Sequence, residues 1–96
     1  MIEIEQTDEF RDWLAALRDL RARARIAARI DRLRFGNPGV VEPVGDGVSE
    51  IKIDYGPGYR LYYKSKGKTI VIMLCGGDKS RQQTDIKKAK NLASKL

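Results

Sequence analysis

Two hydrophobic periodicities divide the chain. From residue 7 to residue 35 apolar side chains recur every three or four positions, the spacing of a helix face. Thr7 before Asp8 and Glu9 reads as an N-cap with acids in the first turn, and Phe10, Trp13, Leu14 and Leu17 form one stripe. Asp19 is placed to cap a second helix whose inner side is Ala22, Ile26, Ile30 and Leu33, with Gly36 and Pro38 as its stop. The pattern alone leaves open whether the helix breaks at Asp19 or runs through it. Upstream, residues 1–5 alternate Ile2 and Ile4 with acids, which predicts a short strand.

From residue 48 the period changes to two. Ile51, Ile53 and Tyr55 share one face while Glu50, Lys52 and Asp54 share the other. A Gly56-Pro57-Gly58 turn leads back into residues 59–64. There Tyr59, Leu61 and Tyr63 lie on one face and Arg60, Tyr62 and Lys64 on the other. Residues 69–75 are apolar on both faces, as in a central strand, and Gly76-Gly77-Asp78 is expected to close it. Ser80 and Gln83 have the spacing of a capping box for a last helix carrying Ile86, Ala89, Leu92, Ala93 and Leu96. The segment 36–47, rich in glycine and proline, reads as a loop. The predicted order is β-α-α-β-β-β-α over one domain, residues 1–96. It is an α+β fold with two N-terminal helices packed on a mainly antiparallel four-stranded sheet. Its polar strand faces would look outward.

Composition narrows the class. Nineteen Lys and Arg against thirteen Asp and Glu give a net charge of +6, which biases so small a chain toward polyanions. The longest apolar run, 70–75, is far short of the roughly 20 residues of a membrane span, and the acidic N-terminus is unlike a signal peptide. The lone Cys75 has no partner for an internal disulfide, so a cytoplasmic home is expected, with the thiol as a buried strand residue. There is no histidine, which removes the commonest metal ligand and acid–base catalyst together. No metal or other cofactor is expected.

Several segments together resemble the RelE/ParE toxin superfamily, in particular its HigB-like addiction-module branch. They are Glu50-Ile51-Lys52-Ile53, Gly58-Tyr59-Arg60-Leu61-Tyr62-Tyr63, the run from Val71 through Leu74-Cys75-Gly76-Gly77-Asp78-Lys79-Ser80, and Asp85-Ile86 with Ala89. The resemblance implies a microbial RNase-like (RelE-like) fold and a cognate antitoxin, expected to be a small helix-turn-helix protein encoded nearby. In many members it also implies cleavage of mRNA in the ribosomal A site. Because the superfamily also holds gyrase poisons, it does not by itself fix the chemistry.

Metal-free RNA cleavage uses the substrate's 2′-hydroxyl as nucleophile. It needs cations on the phosphate and groups that move protons. Arg60, on the polar face, suits bidentate phosphate binding and matches the phosphate-binding arginine of the RNase toxins. A cross-strand salt bridge to Glu50 or Asp54 is its competing role. Lys79, before a helix start, matches a basic catalytic position; Lys52 matches a basic groove residue, and Lys64 and Arg81 extend the RNA-binding set. Glu50 and Tyr62 are the remaining catalytic candidates, either of which could be structural. The tyrosine common in the family's last helix is replaced by Asp85-Ile86, and the C-terminal histidine is missing, which leaves the general base unassigned. The arginines at 18, 21, 23, 25, 29, 32 and 34 suit either ribosomal RNA, an acidic antitoxin segment or a plain solvated helix face. Three functions fit these residues: a ribosome-dependent mRNA endonuclease, a DNA gyrase poison without nuclease activity, and a non-toxic nucleic-acid-binding module.

Overall fold

The computed structural model describes all 96 residues. The elements are β1 (Glu3–Gln6), α1 (Asp8–Ala16), α2 (Leu20–Arg34), β2 (Val41–Gly45), β3 (Val48–Ile53), β4 (Tyr59–Lys66) and β5 (Ile70–Asp78). A 3-10 turn (Lys79–Arg81) and α3 (Gln82–Ser94) complete the chain. The strands form one five-stranded mixed sheet in the order β1-β5-β4-β3-β2, antiparallel except where β1 runs parallel to β5. None of its helices is long and apolar enough to cross a membrane.

Both N-terminal caps form as the sequence predicts. Thr7 Oγ1 accepts from Phe10 N at 3.0 Å and donates to the Leu74 carbonyl at 2.6 Å, so the cap also pins α1 to β5. Asp19 accepts from Arg21 N and Ala22 N, which separates α1 from α2. Arg23 then reaches back to the Leu14 and Leu17 carbonyls at 2.7 and 3.2 Å, adding a side-chain donor at the end of α1.

The sheet has five strands, not four. Residues 41–45, expected as loop, form the edge strand β2, where Pro43 is tolerated because an edge has one unpaired side. Its hairpin to β3 turns on Asp46-Gly47, both at positive φ (56° and 77°), as a tight two-residue turn requires. The last helix also starts differently. Asp78, not Ser80, caps the 3-10 turn by accepting from Ser80 N, and α3 begins at Gln82 without a side-chain cap.

Helices cover both faces of the sheet. Beneath α1 and α2 lie Ile51, Ile53, Leu61, Tyr63, Val71 and Met73, packed against Phe10, Ile26, Ile30 and Leu33. Each such side chain contributes about 1.5–3 kcal/mol when fully buried. The opposite face holds Val48, Tyr62, Ile72, Leu74 and Cys75 under Ala89 and Ala93 of α3. The expected register therefore holds, but the expectation that the polar strand face looks outward does not. Small alanines let α3 lie close over that face, and Glu50, Arg60 and Tyr62 are buried there while Lys52 stays exposed.

Strand β5 runs through Gly76 and Gly77 instead of ending at them. A Cβ on Gly76 would meet the Trp13 ring at 2.4 Å, and one on Gly77 would meet Asp85 Oδ2 at 1.9 Å. These glycines let α1 and α3 press side chains onto the strand from opposite sides.

Candidate nucleic-acid interface

On the α3 side of the β3–β4 hairpin, cross-strand pairing sets Lys52 opposite Arg60 and Glu50 opposite Tyr62. The two pairs have different environments. Tyr62 is fully buried, and its hydroxyl donates to Glu50 Oε2 at 2.9 Å; Gln82 Nε2 donates to the same oxygen at 3.0 Å. Burial, followed by the adjoining Glu50, pushes the Tyr62 pKa well above its ordinary value and keeps the phenol protonated. Both donors reach one oxygen of Glu50, which as a residue is 7% exposed.

Arg60, one pair along, is 5% exposed and forms no ion pair. The chain's two ion pairs, Arg11 with Asp8 and Arg34 with Asp31, are both local to a helix. The guanidinium makes one hydrogen bond, from Nη1 to the Gly58 carbonyl at 2.8 Å, and its buried Nε has no partner. The salt bridge to Glu50 or Asp54 weighed from the sequence is absent, and Arg60 is sunk into the sheet, not projecting from it. A buried cation without a counter-charge is costly.

Lys79 is exposed on the 3-10 turn, across Gly58 from Arg60. A Cβ on Gly58 would lie 3.1 Å from Arg60 Nη1 and 3.5 Å from Lys79 Cβ. Arg60, Lys79 and Lys52 thus gather at one end of the hairpin. Lys64 pairs with Val48 at its other end, about four residues or roughly 13 Å along β4, and does not join them.

Arg81 lies on the far side of Gly77, at a pocket of about 350 Å³ lined by Trp13, Tyr59, Gly77, Asp78, Asp85 and Lys88 among others. Asp85 is 7% exposed, and its carboxyl is held above the ordinary range by burial, which Arg81 and Lys88 partly offset and Asp78 reinforces. Neither Asp85 nor Gln82 is among the candidate residues that the sequence points to. A signal for Asp85 existed, since Asp85, Ala89 and Ala93 repeat at four-residue spacing on the face that packs on the sheet. Gln82 gave none.

Cys75 is buried, its thiol pushed up to about 12 mainly by desolvation, and so it is a poor nucleophile. No three Cys, Asp or Glu side chains converge as metal ligands. Part of the arginine cluster on α2 is structural. Arg29 donates to the carbonyls of Lys52, Pro38 and Val40, Arg23 caps α1, and Arg25 stacks 4.8 Å over the Tyr55 ring.

Residues 12–96 match the family model described as phage derived protein Gp49-like (DUF891). A Haemophilus influenzae protein described only as uncharacterized is 54% identical over 95 residues, covering 99% of this chain and 96% of the relative. The chain belongs to the Gp49-like phage-derived family, a toxin-like addiction-module family related to the RelE and HigB toxins.

Proposed function

We propose that this chain is the toxin of a type II toxin–antitoxin pair and acts as a metal-free endoribonuclease on ribosome-bound mRNA. The observation that carries this reading is Arg60: a buried guanidinium with no acid to pair with, flanked by Lys79 and Lys52. In this role Arg60 holds a non-bridging oxygen of the scissile phosphate and neutralises the charge that grows there as the 2′-hydroxyl attacks. Lys79 supplies the second positive charge from the mouth of the site and protonates the departing 5′-oxygen. Lys52, Lys64 and Arg81 hold the RNA chain on either side. Glu50 takes the 2′-hydroxyl proton through its oxygen not bonded to Tyr62, and Tyr62 keeps Glu50 in place from beneath. An antitoxin, read as a small helix-turn-helix protein, covers part of the basic surface and silences the toxin.

Induction of the chain without its antitoxin is expected to arrest growth, with new mRNA 5′ ends inside coding sequences by primer extension and no SOS induction. Growth arrest with an SOS response and intact messages would overturn the nuclease reading and favour a gyrase poison.

A further inference from the structure

The Arg60 site has a neighbour that phosphate binding does not explain. Gly77, the cross-strand partner of Arg60, also lines the pocket containing Asp85. The Asp85 carboxylate faces this pocket with no hydrogen-bond donor and no ion-pair partner in the chain. The only side-chain hydrogen bond reaching the residue goes to its backbone carbonyl, from Cys75 Sγ at 3.6 Å. Asp85 as a residue is 7% exposed, and its carboxylate has no partner within the chain. Its natural ligand is therefore a group presenting N–H donors.

The other walls narrow the class. Trp13 and Tyr59, edge to face at 6.2 Å, supply aromatic surface, and Arg81 and Lys88 stand at the mouth as exposed cations. An aromatic wall, an inner acceptor and outer cations match the parts of a nucleotide: base face, base edge and phosphate. Among the four RNA bases, guanine alone offers two adjacent donors on its Watson–Crick edge, N1–H and N2–H, which an ionised carboxylate accepts together. Adenine and cytosine put an acceptor beside their amino group, and uracil puts acceptors on both sides of its single N–H.

We propose that this pocket is a guanine subsite, in which Asp85 accepts from N1–H and N2–H of a base next to the scissile phosphate while Trp13 and Tyr59 contact its ring. The proposal deepens the nuclease reading by giving the same site a base preference, but its test needs no cleavage. Trp13 is the chain's only tryptophan, so its fluorescence reports on the pocket directly.

Titration of the intact protein with GMP is expected to quench Trp13 saturably, with an apparent affinity at least about ten-fold tighter than for AMP, CMP or UMP. Asp85→Asn, nearly isosteric and breaking no hydrogen bond, is expected to abolish that preference. Arg81→Ala is expected to weaken all four nucleotides alike and keep the preference. Equal quenching by all four, no quenching, or a preference surviving in Asp85→Asn would each overturn the proposal. So would quenching by N-acetylarginine amide in place of GMP, which would assign the pocket to a basic protein segment. A failure here would leave mRNA cleavage through Arg60 untouched, and a loss of cleavage would leave GMP binding measurable.

Discussion

Two buried polar groups on the same face of the same hairpin, two residues apart on β4, meet opposite fates. Tyr62 is bonded to Glu50, which also receives Gln82, so every member of that trio has a partner. Arg60 has a single carbonyl and an idle Nε. Folding supplies the first group with everything it needs and leaves the second short. A satisfied network rigidifies its surroundings, whereas a buried charge left short of partners costs stability.

Substitutions can break this contrast. The largest effect is expected from Arg60→Ala, which should slow mRNA cleavage about 100- to 1,000-fold, the usual loss for a donor that stabilises transition-state charge. Its stability change should stay within about 1 kcal/mol, because lost packing of the side-chain stem is offset by removal of an unpaired buried charge. Urea unfolding beside a single-turnover assay reads both. Tyr62→Phe should do the reverse, costing about 1–2 kcal/mol in urea unfolding by taking a donor from buried Glu50. If Tyr62→Phe proves neutral in stability, the network is not what holds the hairpin under α3.

Asp85 sharpens the comparison from the acidic side. Its folded-state pKa is raised, chiefly by burial and against the opposing pull of Arg81 and Lys88, with Asp78 adding to the rise. A carboxyl raised on folding favours the native state when protonated. Its penalty is absent below the unfolded value near 3.8 and grows as pH climbs through the higher folded value. Asp85→Asn should therefore stabilise the protein at pH 7 by about 1 kcal/mol. The gain should vanish toward pH 3, as thermal melts across that range would show. A gain independent of pH would mean that the charge is not its cause. The smallest expected effect concerns Cys75. Its thiol, pushed up to about 12 and buried, should resist iodoacetamide at pH 8 in the native protein and react once unfolded. Rapid native labelling would show that α3 opens readily over the sheet.

Much of this was legible in the sequence, for identifiable reasons. The caps at Thr7 and Asp19, the α2 stripe and the alternation of β3 and β4 depend on local spacing, and each stands where spacing put it. Strand β2 was hidden by composition. Pro43 and the flanking glycines suggested a loop, although Asp46-Gly47 before an alternating run is a strong hairpin signal. The glycine pair at 76–77 looked like an ending because the side chains that need its bareness, Trp13 and Asp85, come from segments distant in sequence or across a turn. The same blindness affected the site. Alternation assigned Glu50, Arg60 and Tyr62 to a polar face, but only the docking of α3 decides that this face is covered. Whether a buried polar group has a partner is a property of the packed molecule.

The central claim is that Arg60 is uncompensated in the free protein because its partner is the scissile phosphate. Single-turnover cleavage of a ribosome-bound message by Arg60→Ala, set beside its urea midpoint, tests this most directly. A native-like midpoint with cleavage slowed at least 100-fold is the expected result. Cleavage within about three-fold of the unsubstituted protein, at an unchanged midpoint, would contradict it.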